Sequence, residues 1–422
     1  MRSRAPKGTQ DMLPHTAAVW ERVQRVSQRL CATYGYGPIY TPIFEHTEVF
    51  TRGIGEATDI VSKEMYTFLD RAGRSLTLRP EGTASVVRAV REHSLVPPGT
   101  VGKFYYAGPM FRYERPQKGR MRQFWQVGVE VLGAAGPSAD AEVIVLLWRL
   151  FEELGIPAAN MRLLINSMGD EACRPAYREA VAAYILENID SMCEECARRA
   201  EVNPLRSFDC KNPGCKEVMA GAPLLRDSLC DECAAHYSAV KEALVAVGIP
   251  YVEDPTLVRG LDYYTRTVFE IQADGLGAQN AIGGGGRYDR LMETLGGPPT
   301  PGLGWALGFE RTLLAMEAAG KVSETRTGVR VYVVQVDPSV SGAAFQTVQA
   351  LRDAGVATEM DHAGRSVRAQ FKQADKAGAR FAVVLGPDEI SDGVATVRDM
   401  KSGEEERVAL PELPGRLSRK MD

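Results

Sequence analysis

The 422-residue sequence predicts an α+β domain with an antiparallel sheet, an inserted mainly helical domain and a C-terminal α/β domain. Three observations lead to this fold class. Residues 104–115 and 121–133 are two strand-like runs around a short turn, which indicates a long antiparallel hairpin. Between about 170 and 250 the composition becomes helical, charged and cysteine-bearing. From 329 onward strands and helices alternate, which is typical of a mainly parallel sheet.

Individual elements follow from hydrophobic spacing and from residues that end helices. Apolar residues at helical spacing predict an amphipathic helix over 16–34, which Gly35 and Gly37 end. Pro38 and Pro42 bracket a predicted short strand. The remaining predictions for this part of the chain are helices over 84–93, 139–154 and near 305–318, and strands over 161–167 and 265–273.

These elements group into two domains, one of which is interrupted. The first part of the larger domain is expected over 1–169, the inserted helical domain over 170–250 and the second part over 251–320. A polar linker at 321–328 precedes the C-terminal domain at 329–422. A chain of this length can fill two or three domains with sizeable cores.

Charge and composition narrow the classes of partner and compartment. A net charge of −4 gives no global attraction to nucleic acid or to an anionic membrane, so a nucleic-acid partner needs a local basic patch. The N-terminal segment lacks the apolar core of a signal peptide, and no apolar run reaches about 18 residues. We therefore expect a cytoplasmic protein without membrane association, whose eight cysteines are reduced or metal-bound.

The turn of the predicted hairpin is strongly basic, and Glu114 is its one acidic residue. Such a run is usually a solvated face. Here, however, the following strand carries Gln126 and Glu130 on one face, and arginine forks suit phosphate groups. A phosphate site is favoured over a merely solvated turn. The basic residues are Arg112, Arg115, Lys118, Arg120 and Arg122.

Three further motifs each allow two interpretations. In TLRPEGT (77–83), Glu81 either stabilises a helix N-terminus or binds an ammonium group. GGGGRYD (283–289) is either a flexible turn or a backbone that a flat ligand approaches closely, and no P-loop pattern occurs in the sequence. GLGWALGFER (302–311), which ends at Arg311, predicts by itself a closely packed glycine-rich helix.

Together these motifs resemble the class II aminoacyl-tRNA synthetases and, more narrowly, the bacterial histidyl-tRNA synthetases. YTPIFEHTEVF, with Pro42, resembles motif 1, which builds the dimer interface in the family. FRYER through FWQVGVEVLG resembles motif 2, and GLGWALGFER resembles motif 3. RGLDYY (259–264) and GGGGRYD resemble the two histidine-specific signatures. The resemblance covers nearly the whole chain.

The resemblance implies a homodimeric enzyme with a class II synthetase-like catalytic domain and a C-terminal anticodon-binding domain. Such an enzyme activates L-histidine with ATP and transfers histidine to the 3′ end of the histidine tRNA. The histidine carboxylate is the nucleophile, so the protein needs none of its own. Its task is to place cations around the transferring phosphoryl group, with Mg²⁺ on the leaving pyrophosphate.

The resemblance also implies roles for individual residues. Arg259 and Arg112 are the expected catalytic residues, and Arg311 holds the γ-phosphate. The expected histidine-binding residues are Glu81, Thr83, Gln126, Glu130, Arg259, Tyr263 and Tyr264. The expected ATP-binding residues are Arg112, Glu114, Arg120 and Arg311, and those for the tRNA acceptor end are Arg115, Gln117 and Lys118.

Within this set, Glu130 and the two tyrosines are expected to hydrogen-bond the imidazole at both nitrogens, and Glu81 and Thr83 to hold the α-amino group. A site built on such bonds rejects analogues that lack them by ~10⁴–10⁵, so no editing domain is needed. Two positions depart from the family pattern. Trp125 replaces a histidine and Arg290 replaces a glycine, and we expect both to be tolerated. Asp262 has no assigned role.

The inserted domain contains two C-x2-C pairs, which predict a structural zinc site formed by Cys193, Cys196, Cys230 and Cys233. Cys210 and Cys215 lie between the pairs and leave the ligand set open, and a set of reduced thiols is the alternative. Cys31 and Cys173 are expected to be ordinary buried thiols.

A catalytically silent relative is the main competing interpretation. The regulatory subunit of ATP phosphoribosyltransferase resembles a synthetase but typically lacks the arginine of RGLDYY and the anticodon-binding domain. This sequence keeps Arg259, Arg112, Arg311 and residues 329–414, which favours the enzyme. Class II synthetases for proline, threonine or glycine have different specificity signatures.

Overall fold

The computed structural model describes residues 4–56, 58–277, 280–322 and 328–420. The chain divides into a first unit, Met1–Asp11 with Trp20–Val322, and a second unit, Met12–Val19 with Ser323–Asp422. Most of the predicted linker, residues 323–327, lies outside the described residues. The domain boundaries within the first unit remain predictions.

The helices and strands up to Val322 confirm most of the predicted elements. In chain order they are α1 (Pro14–Thr33), β1 (Gly37–Pro38), β2 (Phe44–His46), α2 (Thr47–Ile54), β3 (Tyr66–Leu69), β4 (Ser75–Leu78), α3 (Thr83–Glu92), β5 (Gly102–Phe111), β6 (Gln123–Leu132), α4 (Pro137–Glu153), β7 (Met161–Ser167), α5 (Arg174–Glu187), α6 (Glu194–Val202), α7 (Pro213–Met219), α8 (Asp231–Ala246), β8 (Val252–Glu253), β9 (Thr265–Ala273), β10 (Ala281–Arg287), α9 (Leu291–Thr294), β11 (Gly302–Gly308) and α10 (Phe309–Ala318).

An eight-stranded sheet organises the first unit in the order β1-β5-β6-β11-β10-β9-β7-β8. The predicted hairpin is its β5–β6 pair. The sheet is antiparallel except at its two edges, where β1 and β8 pair in parallel with β5 and β7. Helix α4, which is apolar along most of its length, packs against β9, β10 and β11 and buries Trp148 and Phe151. A separate three-stranded sheet has the order β2-β4-β3.

Two glycine-rich segments are strands. The predicted helix near 305–318 is wrong up to Gly308, because the helix begins only at Phe309. Residues 281–287 form β10, so of the two interpretations of GGGGRYD the flexible turn is wrong, and close approach to the backbone stays a prediction. A Cβ on Gly285 would overlap with the backbone of Gly304, and a Cβ on Gly304 would overlap with the Glu130 carboxyl. Close packing at the centre of the sheet therefore overrides the low strand propensity of glycine.

The strand predicted between Pro38 and Pro42 is reduced to β1. The backbone carbonyl of Thr41 accepts a hydrogen bond from Arg79 Nη1 at 3.0 Å instead of from a neighbouring strand. Arg79 Nε also donates to the Pro109 carbonyl at 2.9 Å. This buried arginine therefore links the segment before β2 to the end of β5.

The insertion between β7 and β8 is helical, as predicted, and consists mainly of α5 to α8. Its helices bury Tyr177, Val181, Ile185 and Met219 in the same apolar cluster as Val268 of β9. Across the described part of the chain, no helix is both long and apolar enough to cross a membrane.

The second unit contains a five-stranded sheet with helices on both faces. In chain order its elements are β12 (Val331–Gln335), α11 (Ser341–Asp353), β13 (Thr358–Met360), α12 (Val367–Ala377), β14 (Phe381–Leu385), α13 (Pro387–Ser391), β15 (Val394–Asp399), β16 (Glu405–Ala409) and α14 (Leu413–Arg419). The parallel part, β13-β12-β14, confirms the prediction from alternating strands and helices. The sequence prediction missed β15 and β16, which are antiparallel.

Candidate active site

A cavity of about 340 Å³ in the first unit gathers most of the predicted histidine- and ATP-binding residues. This active-site cavity lies on the face of the large sheet formed by β6, β11, β10 and β9. Its volume suits a small-molecule ligand. The predicted residues that line it are Glu81, Thr83, Arg112, Glu114, Arg120, Gln126, Arg259, Tyr263, Tyr264 and Arg311.

The floor of the cavity pairs polar side chains with glycines on the neighbouring strand. On β6, Gln126 and Glu130 point to one face, and β11 places Gly308 and Gly304 directly opposite them. Gly304 leaves room for the Glu130 carboxyl, and Gly308 leaves open space above the sheet. The Gln126 Oε1 atom is buried and has no hydrogen-bond partner among the described residues. A ligand could supply that partner.

Glu130 lies beneath the cavity and is fully enclosed. Its Oε1 accepts hydrogen bonds from Thr83 Oγ1 at 2.7 Å and from the Tyr106 hydroxyl at 3.3 Å. The Tyr288 hydroxyl donates to Oε2. Burial raises the pKa of Glu130 to about 8, although these hydrogen bonds lower it. Thr83 and Tyr288 line the cavity, whereas the Glu130 carboxyl that they contact does not.

Glu81 fits both interpretations of its motif. Its carboxyl accepts backbone hydrogen bonds from Thr83 at 2.7 Å and Ala84 at 2.8 Å, in the first turn of α3. It therefore satisfies amide groups that a helix start leaves unpaired. It also lines the cavity, and its burial raises its pKa.

Arg259 lies over the glycine strand β10 and pairs with a glutamate that the sequence predictions missed. Arg259 Nη1 is 2.6 Å from Glu270 Oε2. A Cβ on Gly284 would lie 3.0 Å from the same Nη1, so glycine leaves the guanidinium room. Arg259 Nε is buried without a hydrogen-bond partner within the described ranges. Gly284 in β10 therefore allows the Arg259 guanidinium to lie close to the backbone of the strand.

Three arginines gather at one end of the cavity. Glu114 lies between two of them, with Oε1 3.9 Å from Arg112 Nη1 and Oε2 2.6 Å from Arg120 Nε. Arg112 Nε also donates to the Pro80 carbonyl at 2.9 Å. Arg311 Nη1 donates to the Ala281 carbonyl at 3.2 Å. These contacts hold guanidinium groups from the residue that follows β5, from the hairpin turn and from α10 around one space that suits a polyanion.

The three residues predicted for the tRNA acceptor end do not line the cavity. Arg115, Gln117 and Lys118 lie exposed on the hairpin turn. Gln117 and Arg120 pair in a backbone bridge across this turn, and of the two only Arg120 lines the cavity. The basic run of the sequence is therefore divided into an inner and an outer part.

Glu270, Tyr288 and Glu310 line the cavity but were absent from the predicted site. Glu270 is an acidic residue inside the apolar strand β9, and Tyr288 belongs to GGGGRYD, so both carried a signal. Glu310 precedes Arg311, accepts a hydrogen bond from the Trp125 backbone at 3.1 Å, and has its pKa raised to about 7 by burial.

Both departures from the family pattern lie outside the cavity. The Trp125 ring packs against Trp20, with ring centroids 5.1 Å apart, on the opposite face of β6 from Gln126. Arg290 pairs with Glu171 at 2.9 Å on the surface. Neither position removes a group from the cavity lining, which is consistent with the expected tolerance.

Asp262, which had no assigned role, joins the RGLDYY loop to the insertion. Its Oδ1 accepts a hydrogen bond from Asn203 Nδ2 at 3.0 Å and lies 3.4 Å from Arg206 Nε. Arg206 Nη2 donates to the Gly260 carbonyl at 2.7 Å. The insertion therefore positions the loop that carries Arg259.

The cysteine pairs are not in one site, so the predicted zinc ligand set is wrong. Cys193 immediately precedes α6, and Cys196 lies in the first turn of that helix. Cys230 and Cys233 occupy the corresponding positions at the start of α8. Each pair belongs to a different cluster of potential metal ligands. Cys173, expected to be an ordinary buried thiol, is buried and belongs to the second cluster, whereas Cys31 is buried outside both clusters with its pKa raised to about 12 by burial.

An antiparallel sheet that carries arginines from a basic hairpin and a following helix is the arrangement of the class II aminoacyl-tRNA synthetases. Comparison with known proteins narrows the class. The histidyl-tRNA synthetase family model matches residues 8–312, and an anticodon-binding domain model matches 330–420. This chain belongs to the histidyl-tRNA synthetase family.

Individual relatives match over nearly the full length. Histidine–tRNA ligase of Desulforamulus reducens is 50% identical over 408 residues, covering 97% of both chains. That of Moorella thermoacetica is 50% identical over 405 residues, covering 96% of this chain and 95% of the relative. The crystal structure of apo S. aureus histidyl-tRNA synthetase has a TM-score of 0.84 and 38% identity, and the match covers 99% of this chain and 100% of that one.

Proposed function

We propose that the active-site cavity activates L-histidine with ATP, and that the enzyme then transfers histidine to the 3′ end of the histidine tRNA. Membership in the family supports tRNA aminoacylation with histidine. One observation carries the proposal. A single cavity holds Arg259, Tyr263 and Tyr264 of the histidine signature together with Arg112 and Arg311 of the class II motifs.

In the activation step a carboxylate oxygen of histidine attacks the α-phosphorus of ATP. The new bond joins that oxygen to phosphorus, and the bond to the β-phosphate oxygen breaks to release pyrophosphate. Arg259, held beside Glu270, presents its remaining donors to the α-phosphate and the substrate carboxylate. Arg112 and Arg311 bind the remaining phosphate oxygens. Cations placed in advance relieve the repulsion between two anionic reactants and stabilise the transition state.

Imidazole selection is assigned to Tyr263, Tyr264 and the buried Glu130. The two tyrosine rings lie side by side, with centroids 4.8 Å apart. An imidazole N–H would take the place of one hydroxyl that now donates to Glu130. A side chain that displaced the same hydroxyl without a ring donor of its own would leave that carboxyl with one hydrogen bond fewer, which is costly in a buried site. Glu81, Thr83 and Gln126 serve the α-amino and polar end of the substrate.

The cavity has carboxylates that suit the proposed Mg²⁺. Magnesium is usually held by one or two carboxylates together with substrate phosphates. Glu114 and Glu270 line the cavity near the arginines, and we expect them to hold the ion. When bound, Mg²⁺ neutralises charge on the leaving pyrophosphate.

For the tRNA, we propose two separate contacts. The exposed Arg115, Gln117 and Lys118 of the hairpin turn meet the acceptor end, and the second unit binds the anticodon. Because the net charge is −4, binding rests on local basic patches and should weaken with salt.

A homodimer that forms through the motif 1 region is part of the proposal. The segment before β2 and the three-stranded sheet expose large apolar side chains, including Tyr40 at 79% and Leu69 at 69%. Ile43, Phe44 and Phe68 are exposed in the same region. Contiguous exposed apolar surface is typical of a protein interface. A cytoplasmic location remains a prediction.

The regulatory-subunit alternative is not favoured. Arg259, which such proteins typically lack, lines the cavity together with Arg112 and Arg311, and an anticodon-binding domain model matches residues 330–420.

Pyrophosphate exchange into ATP, measured without tRNA for each standard amino acid, tests the proposal. Exchange with histidine alone is the expected result. Folded protein that gives no exchange with any amino acid would overturn the catalytic assignment and return the regulatory interpretation. Exchange with a different amino acid would overturn the pocket assignment.

A further inference from the structure

Seven of the eight cysteines lie in two clusters of four potential ligands each. In both clusters the ligand atoms lie within 4.8 Å of one another, and each cluster combines buried with partly exposed residues. The first, called the insertion cluster, contains Cys193, Cys196, Cys210 and Cys215. The second, called the junction cluster, contains Asp170, Cys173, Cys230 and Cys233. We propose that each cluster binds one structural zinc ion.

The spacing of the ligand atoms fits zinc, and each of the eight cysteines is free of a disulfide. Tetrahedral zinc with Zn–S bonds of about 2.3 Å places its sulfurs about 3.8 Å apart. In the insertion cluster, Cys193 Sγ and Cys210 Sγ are 3.9 Å apart, whereas a disulfide requires about 2.0 Å. A carboxylate oxygen and a sulfur on one zinc ion are about 3.6 Å apart. In the junction cluster, Asp170 Oδ1 lies 3.6 Å from Cys173 Sγ and 3.8 Å from Cys230 Sγ.

Both clusters have the hydrogen bonds that support metal ligands. The Cys193 amide donates to Cys215 Sγ at 3.2 Å, and the Asp170 amide donates to Cys173 Sγ at 3.3 Å. Asp170 Oδ2 accepts a hydrogen bond from Arg266 Nη2 at 3.2 Å, and Oδ1, which faces the sulfurs, also accepts one from the Ala172 amide at 3.0 Å. Donors of this kind orient ligands and stabilise thiolates.

The elements that the clusters join are short. Helices α6 and α7 have nine and seven residues, lengths at which a helix is unstable by itself. The insertion cluster connects the start of α6 with Cys215 of α7. Four thiolates on one ion would supply a cross-link that the small local core does not.

The junction cluster connects the insertion to the catalytic sheet. Cys173 and Cys230 immediately precede α5 and α8, and Asp170 follows β7. Next to it, Arg174 Nη1 donates to the Tyr264 carbonyl at 2.7 Å. An ion in the junction cluster would therefore hold α5 and α8 next to the loop that carries RGLDYY.

Elemental analysis of full-length protein purified without chelator tests both sites. About two zinc ions per chain are expected, and about one in Cys193→Ser and in Cys230→Ser. Cys31→Ser is the matched control, because Cys31 belongs to neither cluster, and it should retain both ions. Folded wild-type protein with less than about half a zinc ion, or with iron in its place, overturns the proposal.

A serine variant that fails to fold would also lose zinc. Cys215→His and Cys233→His distinguish that outcome from the loss of a ligand. Histidine remains a zinc ligand, so these variants should keep about two ions, whereas packing alone would not restore metal to them. Cobalt substitution provides a second measurement. Thiolate-to-cobalt absorption should fall more in Cys193→Ser, which loses the four-sulfur site, than in Cys230→Ser. A single ion that either serine variant abolishes would overturn the two-site assignment.

Discussion

Arg259 and Glu270 form an ion pair that holds the cavity ready for an anionic ligand. The guanidinium is ordered over β10 by Glu270 at 2.6 Å, yet its Nε is unpaired among the described residues. A reactant carboxylate or phosphate can therefore gain a charged donor whose position is already set. Preorganisation of this kind lowers the cost of stabilising developing charge.

Arg259→Ala is expected to slow histidyl-adenylate formation by ~10²–10⁴ and to weaken histidine binding much less, because the charge acts mainly in the transition state. Pyrophosphate exchange and equilibrium histidine binding measure the two effects. Arg290→Ala, which removes an exposed arginine outside the cavity, is the control and should leave both unchanged. Near-normal turnover in Arg259→Ala would contradict the assigned role.

Histidine selection should depend on hydroxyl and carboxyl groups that can meet an imidazole. Glu130→Gln and Tyr264→Phe keep the side-chain size but remove an acceptor or a hydroxyl, so discrimination against other amino acids should fall by roughly 10- to 100-fold or more. The ratio of kcat/KM for histidine to that for a non-cognate amino acid measures this effect. Unchanged discrimination in both variants would disprove the pocket assignment.

Glu130 should also make stability depend on pH. Burial raises its pKa to about 8 in the folded protein, whereas a glutamate in an unfolded chain has a pKa of about 4.3. The folded state keeps a proton that the unfolded state loses, so this contribution is complete below about pH 4 and is lost as pH rises to about 8. Glu130→Gln should remove this decline, on the order of a few kcal/mol.

Urea unfolding of wild type and Glu130→Gln at several pH values between 5 and 8 measures the difference. Other groups titrate in the same range, including Glu310 with a pKa of about 7, so the comparison between the two proteins is the informative quantity. An equal loss of stability in both proteins would show that Glu130 is not the group responsible.

At the scale of elements, β10 and β11 build the cavity floor by leaving side chains out. A Cβ on Gly304 would overlap with the Glu130 carboxyl and the Val129 carbonyl. A Cβ on Gly308, in the same strand, would meet no atom of the described residues within 4 Å. Comparing alanine at Gly304 with alanine at Gly308 therefore distinguishes a local steric clash from the general strand preference of alanine over glycine.

Gly304→Ala is expected to lower the free energy of unfolding by ~1–3 kcal/mol or more, because overpacking against backbone cannot relax locally. Gly308→Ala, the matched control, should change it by less than about 1 kcal/mol. Chemical denaturation of both variants measures the two changes in the free energy of unfolding. Equal stabilities would mean that the floor tolerates the added methyl group at both positions.

At the scale of the whole molecule, the exposed apolar surface near motif 1 bears on assembly. Leu69→Glu places a charge in the proposed interface and should raise the dimer dissociation constant by at least ~10-fold. Val245→Glu alters a comparably exposed residue, 65% against 69%, on α8 and is the control. Sedimentation velocity over a concentration series measures the change. A dimer that tolerates Leu69→Glu as well as Val245→Glu would place the interface elsewhere.

Local patterns were sufficient for much of the fold, and the resemblance of the motifs supplied many of the residues that line the cavity. Period-two and helical spacing predicted the β5–β6 hairpin, α1, α3 and α4, because such elements are stabilised by neighbours in sequence. Residues that share a strand face, such as Gln126 and Glu130, could be grouped for the same reason. The motif residues then indicated the chemistry before their positions in space were known.

Long-range packing determined the rest. The strand state of residues 283–287 and 302–308, the Arg259–Glu270 pair and the enclosure of Glu130 all depend on groups far apart in the chain. So does the division of the cysteines, since the first C-x2-C pair combines with Cys210 and Cys215, and the second with Asp170 and Cys173. Spacing along a chain reports which residues can share an element, but only the packing of elements decides which side chains meet.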